Sequence, residues 1–311
     1  MKKGNQFHFL NWLGVFLVFH FGFHFLHKNW LMKQNQQAEK ELNFNGLSSK
    51  PKVWFMGDSH PLLAIDPEQI PESFNWASRS ENYILCYYKI KYLLERGHKP
   101  TIIFLPAEIH SLSSQGKSLI VNHELDDSWW ANKISPFEAD AAANGSDFRR
   151  WWLAANFASH AGQFYHLKFL AAQPQLGLTK LGFMPDSTDF SQNENAKEII
   201  NEKVKSHVGK FKLVDSLQIK YLNKTIQLLK ESGIKLVLVK YPVSKPYFEA
   251  ISERIDPKLV DQEFVRLKDK VKILDFRNLY FGRPELFSDP DHLNQKGAEE
   301  FSQMFKEFSG I

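Results

Sequence analysis

Val53-Trp54-Phe55-Met56-Gly57-Asp58-Ser59-His60 sets the reading of this chain. Four consecutive apolar residues stopped by a glycine are the pattern of a parallel strand buried on both faces, because such a strand has no polar side to show. The serine then falls just past the strand end, where a turn can expose its hydroxyl and a helix N-terminus favours a developing anion. Similar runs recur downstream. Thr101-Ile102-Ile103-Phe104-Leu105 is stopped by Pro106, Ile234 to Tyr241 is stopped by Pro242, and Val271-Lys272-Ile273-Leu274-Asp275-Phe276 is the last. Phe74-Asn75-Trp76-Ala77 is a weaker second strand. Helical stretches lie between them: Glu81 to Arg96 before Gly97, an apolar stripe from Val204 through Val208, Phe211, Leu217, Leu222, Ile226 and Leu229 before Gly233, and a closing helix over Gln295 to Phe308. Strands alternating with helices predict an α/β fold with a parallel sheet and helices on both faces. In such sheets the site lies at the carboxyl ends of the strands. Ser59, Glu108 and His292 all fall there.

The composition fits a folded α/β domain with attachments. At 311 residues, 43% hydrophobic and 24% charged, the chain is long enough for a large core and too apolar for disorder. The net charge of +4 comes from Lys and Arg scattered among nearly as many acids, which excludes a basic stripe for nucleic acid. The single cysteine, Cys86, excludes an internal disulfide framework or a Cys-based zinc site, and reads as a small core residue. Phe7 to Leu26 contains no Lys, Arg, Asp or Glu, and has the roughly 20-residue length a helix needs to cross a bilayer. Lys2 and Lys3 precede it, Trp12 and Trp30 lie near its ends, and no small-residue cleavage site follows. It is expected to be one uncleaved N-terminal transmembrane helix with the body of the protein outside. The expected layout is an anchor over residues 1–33, a polar tether over 34–52, and a domain over 53–311 with a partly helical insertion at about 110–201.

Serine becomes a nucleophile when a base takes its proton, and the base works best when a carboxylate fixes its tautomer. Asp289-Pro290-Asp291-His292-Leu293-Asn294 supplies both. Asp289 and His292 stand three apart in a Pro-containing turn, so one ring nitrogen can meet the carboxylate while the other faces Ser59; Asp291 is the available substitute. A capping role is the commoner one for a strand-to-helix serine, and the distant Asp-x-x-His is what favours catalysis here. Asp58 reads as a structural acceptor beside the turn. Glu108 with His110 suggests a metal pair that lacks a third ligand. His20, His24 and His27 share one face of the anchor and suit a helix contact with another membrane protein. Trp129, Trp130, Trp151 and Trp152 suit a core or a sugar-stacking surface.

These residues resemble a family. Gly57-Asp58-Ser59 looks like the first block of the SGNH (GDSL-type) hydrolases, and Asp289-x-x-His292, with Leu293-Asn294 and Gly297-Ala298, looks like their last block, in the same order. The resemblance covers Val53 to about Phe308 without most of the insertion. It implies a flavodoxin-like three-layer α/β/α fold and a triad of Ser59, His292 and Asp289. The middle blocks depart. Asn75-Trp76-Ala77-Ser78-Arg79-Ser80 is similar to the second block with Ser80 in the glycine's place, so an oxyanion hole would rest on the amides of Ser59 and Ser80. Leu105-Pro106-Ala107-Glu108 lacks the third block's asparagine and puts Glu108 near its place, where an ionised carboxylate would repel an oxyanion.

The branch most resembled is the membrane-anchored one that assists polysaccharide O-acetylation or D-alanine transfer. It implies a single-pass membrane protein whose domain is periplasmic or extracellular. The implied activity is that of a serine acyl-ester enzyme, an esterase or O-acyltransferase acting on a cell-envelope glycan or another acyl ester. An integral membrane O-acyltransferase is the implied partner, with no metal or organic cofactor. The alternative is a non-catalytic assembly or binding subunit that keeps the fold, which Glu108 favours.

Overall fold

The computed structural model describes residues 8, 10–19, 21–22, 36–114, 177–208, 213–267 and 269–310. The chain divides into two compact units, 1–39 with 121–173 and 40–120 with 174–311. The second carries the sheet. Its strands are β1 (Val53–Phe55), β2 (Ser73–Asn75), β3 (Ile102–Pro106), β4 (Lys235–Lys240) and β5 (Lys272–Asp275), paired in parallel in the order β2-β1-β3-β4-β5. All five strands expected from the apolar runs are present. The order reverses at β1, so β1 and β3 leave the sheet beside each other at its carboxyl edge, where a ligand crevice forms in such sheets.

The helices are α1 (Gln36–Gly46), α2 (Ser59–Ala64), α3 (Tyr83–Glu95), α4 (Ala196–Val208), α5 (Ser216–Glu231), α6 (Lys245–Ser252), α7 (Pro257–Val265) and α8 (Gln295–Ser309). Because side chains alternate along a strand, β1 sends Val53 and Phe55 to one face and Trp54 to the other. On the first face Phe55 and Phe104 stack at 5.0 Å, and α8 lays Phe301 and Phe305 over them. On the second face Trp54 meets Phe44 of α1 and Trp76, while α3 and α5 pair through Tyr88 and Tyr221, whose hydroxyls lie 3.0 Å apart. These two cores make the three-layer α/β/α arrangement.

Several expectations change. The stretch read as a tether is helical over Gln36–Gly46, and Lys40 and Phe44 are fully buried against the domain. The lysine hid the docked face, because its ammonium finds carbonyl partners inside the protein. The single stripe from Val204 to Leu229 is two helices, since Asp215 caps α5 by accepting the Leu217 amide. Among the described residues no helix is long and apolar enough to cross a membrane. Residues 10–19 are helical, and the remainder of the expected span lies partly outside the described residues. His20, His24, His27 and the four insertion tryptophans also lie outside them, as does most of the insertion.

Candidate functional site

Gly57 opens the site. Its φ of 120° is a backbone region that favours glycine, and a Cβ there would lie 2.2 Å from Pro106 Cδ on the neighbouring strand. The chain can therefore leave β1 tightly against β3 and enter α2 at once. Asp58 caps α2 by accepting the His60 amide at 3.0 Å, leaving Ser59 as the first helical residue.

The last block arrives from the far end of the chain. Asp289 Oδ1 accepts the amides of Asp291 and His292 at 3.0 and 2.9 Å, so the turn is wound around its own carboxylate. Phe287 bridges Leu293, and Asn294 caps α8 through the Gly297 amide. A Cβ on Gly297 would lie 2.3 Å from the Leu286 carbonyl oxygen, which fixes this turn on the start of α8. The result is a continuous line. His292 Nε2 is 2.7 Å from Ser59 Oγ, and His292 Nδ1 is 2.8 Å from Asp289 Oδ2. A carboxylate only accepts, so Nδ1 carries the hydrogen and Nε2 is left as the acceptor facing the serine. Asp291, the substitute, stands 3.6 Å from Nδ1, beyond hydrogen-bond reach.

Ser59 opens on a cavity of about 130 Å³, lined also by Asp58, Ser80, Asn82, His110 and His207. Ser80 is exposed and holds φ at 59°, the left-handed conformation that suits the glycine it replaces. Glu108 is not among the residues lining the cavity. It is buried, and its Oε1 accepts the Tyr241 amide at 2.7 Å, so it fastens β3 to the end of β4. Burial pushes its carboxyl up, against the pull of His60 and the Tyr241 amide.

A second polar cluster lies beside the triad. Asp58 Oδ1 is 3.3 Å from His60 Nδ1, and Asp58 Oδ2 is 3.2 Å from His110 Nε2. His60 Nε2 lies 3.6 Å from Asp291 Oδ2. The His110 ring stacks on His207 at 4.4 Å, and His207 Nδ1 pairs with the Tyr247 hydroxyl at 2.6 Å. Lys203 on α4 spans both acids of the last block, 3.0 Å from Asp289 Oδ2 and 2.8 Å from Asp291 Oδ1. Burial lowers the His60 pKa, but Glu108, Asp58 and Asp291 outweigh it and raise it to about 10. Burial would raise Asp58 and Asp291, yet the surrounding histidines hold both well below the usual carboxylate range, with Lys203 adding to the effect on Asp291. Burial, with His110 beside it, pushes the His207 pKa well below its ordinary value. Sequence reading singled out His110 with Glu108 but missed His60, His207 and Lys203. His60 adjoins the serine and was legible; His207 and Lys203 carry no local signal.

The loop after β2 is held from beneath by two buried lysines. Lys40 donates to the carbonyls of Asn75 and Ala77, and Lys89 donates to the Trp76 carbonyl and pairs with Glu81. Asn75 turns its own amide to the Pro61 and Ile65 carbonyls, tying this loop to α2. The segment leading to Ser80 is thus positioned by charge buried under it.

A protein-family model matches residues 190–309, from the turn before α4 through α8. No curated protein matches the chain. Solved structures similar to it include an inferred acylhydrolase from Bacteroides fragilis, at 11% identity and a TM-score of 0.40, covering 90% of this chain and 98% of that one. Another is an inferred platelet activating factor from Streptococcus pneumonia, at 13% identity and a TM-score of 0.40, covering 91% and 96%.

Proposed function

We propose that this chain is an SGNH-type serine acyl-ester enzyme, an esterase or O-acyltransferase. One observation carries the reading: the unbroken line from Ser59 Oγ through both nitrogens of His292 to Asp289, at 2.7 and 2.8 Å. Ser59 Oγ attacks the acyl carbon while His292 Nε2 takes the hydroxyl proton. The ester C–O bond then breaks, and His292 returns that proton to the leaving oxygen. Water or a sugar hydroxyl attacks the acyl-serine and gives its proton to His292; the acyl–Oγ bond then breaks, His292 passes that proton to Ser59 Oγ, and the acid or the new ester is released. Asp289 orients the ring and stabilises the imidazolium. The Ser59 and Ser80 amides are the donors offered to the oxyanion, and Glu108 has no direct part in it.

The acyl acceptor we propose is a cell-envelope glycan, reached from the membrane in concert with an integral membrane O-acyltransferase. The support is the uncharged Phe7–Leu26 segment and its exposed side chains Trp12, Val15, Val18 and Phe19, which call for an apolar covering of lipid or protein. A non-catalytic assembly subunit is the second reading, favoured by Glu108 in place of a neutral donor.

Labelling with a serine-directed fluorophosphonate decides between them. We expect one adduct, mapped to Ser59 and absent from Ser59→Ala. Labelling that survives Ser59→Ala sinks the nucleophile assignment. If a deletion strain regains full glycan acylation from Ser59→Ala, the non-catalytic reading wins; if the deletion leaves glycan acylation unchanged, the glycan is the wrong substrate.

A further inference from the structure

The turn that presents Ser59 to His292 turns Asp58 and His60 the other way, toward His110 at the end of β3. We propose that Asp58, His60 and His110 form a binding site for a divalent transition cation of the zinc class, open to the cavity that Ser59 lines. One ligand atom from each of the three lies within 4.8 Å of the others. A tetrahedral ion with bonds of about 2.0–2.1 Å sets neighbouring ligand atoms roughly 3.3 Å apart. The two imidazoles now meet different oxygens of Asp58, His60 Nδ1 at 3.3 Å from Oδ1 and His110 Nε2 at 3.2 Å from Oδ2, so the carboxylate would turn to give one oxygen to an ion that both rings share.

An independent observation points to a ligand. His60 is 3% exposed, and its buried Nδ1 has no aligned hydrogen bond, only a 3.3 Å ionic contact with Asp58 Oδ1. A metal bond would hold this nitrogen more tightly than that contact does. Two imidazoles and one carboxylate select zinc or its transition-metal neighbours over magnesium or calcium, which prefer all-oxygen shells. Asp58 and His110 both line the cavity, so a fourth position would face it. The stacked His207 holds the His110 ring from behind. A second trio, His60, Asp291 and His292, is also close enough. It is excluded as a site in the same state, because both nitrogens of His292 already serve Ser59 and Asp289. The sequence reading left His110 with Glu108 and no third ligand; the fold supplies Asp58 and His60 instead.

The binding stands apart from the acyl-ester reading, and its test is a binding test. Full-length protein stripped with a chelator is titrated with Co²⁺, followed by visible d–d absorption, and with Zn²⁺ by calorimetry in two buffers of different ionisation enthalpy. We expect one equivalent bound at micromolar affinity or tighter, with release of protons as the histidines become ligands. Affinity should fall at least about 100-fold in His110→Ala, whose half-buried side chain can be removed without opening the core, and in His60→Gln, but not in Ser59→Ala or in the distant His98→Ala. Unfolding curves confirm that each variant is folded. Absence of stoichiometric binding, or binding unchanged in folded His110→Ala, overturns the site. Metal binding by the unaltered protein together with failure of that same protein to take the fluorophosphonate label would leave the metal site standing and remove only the nucleophile.

Discussion

Ser59 reaches His292 and Asp289 through contacts of 2.7 and 2.8 Å, whereas its neighbours Asp58 and His60 meet their partners at 3.2 to 3.6 Å. Both groups sit at the end of β1, within four residues of backbone. The triad is saturated: each nitrogen of His292 has one aligned partner. The neighbouring cluster is charged and more loosely joined, a set of ion pairs among which Lys203 Nζ to Asp291 Oδ1, at 2.8 Å, is the tightest. A tight directional line suits proton transfer, where angle and tautomer decide the rate. A loose set of opposite charges suits electrostatic holding, or a guest ion.

The two acids of the last block offer the sharpest break. Asp289→Asn keeps the shape but lets the amide donate toward His292, reversing the tautomer, so acyl turnover should fall by about 10⁴ while stability changes little. Asp291→Asn should do the opposite. It removes a fully buried carboxylate facing His60, His207 and Lys203, and breaking such a pairing costs about 3–5 kcal/mol. The pH dependence carries a sign. Asp291 is held below its unfolded value, so its contribution is fully present above about pH 4 and is lost as pH falls toward its folded value. Urea unfolding at pH 6 and pH 3 should therefore show the gap between wild type and Asp291→Asn narrowing at the lower pH. Equal loss of turnover in both variants would erase the distinction between directional and ionic acids.

Gly57→Ala tests whether one turn can serve both groups. The new methyl meets Pro106 at 2.2 Å, and φ is 120°. Strain and overpacking of this kind each cost about 1–3 kcal/mol. We expect a lower unfolding midpoint together with loss of both fluorophosphonate labelling and Co²⁺ binding. Loss of one without the other would mean that the two groups are positioned separately.

The strands were legible because parallel strands buried on both faces spell themselves as apolar runs; Ser59 stood out because it follows such a run at once, and Asp289 and His292 because their three-residue spacing falls in one turn. The buried cluster was not. Its members come from β1, β3, α4 and the last turn, and only the 2-1-3-4-5 strand order brings them to one edge. Lys40 and Lys89 were invisible for a different reason: a lysine reads as solvent-facing, yet both are fully buried against carbonyl oxygens. Glu108 was legible as a position but not as a role, since the acceptor of the Tyr241 amide cannot be read from its own strand.

The smallest effect concerns Ser80, which bears on the triad's side of the comparison alone. Its φ of 59° is a conformation that costs a residue with a Cβ about 1–2 kcal/mol, while glycine adopts it freely. Glycine also loses more freedom on folding, by roughly 0.5–1 kcal/mol. Ser80→Gly should therefore stabilise the protein by about 1 kcal/mol or less. The Ser80 hydroxyl is exposed at the cavity edge, while the loop beneath is fixed by Lys40 and Lys89, so the backbone amide should keep its place. Turnover of a small acyl ester should then stay within about threefold, because the amide and not the side chain is the donor offered to the oxyanion. Urea unfolding and steady-state kinetics on the same preparation measure both quantities. A fall in turnover of 100-fold or more with stability unchanged would show that the Ser80 hydroxyl itself meets the substrate, and would move the oxyanion donor from backbone to side chain.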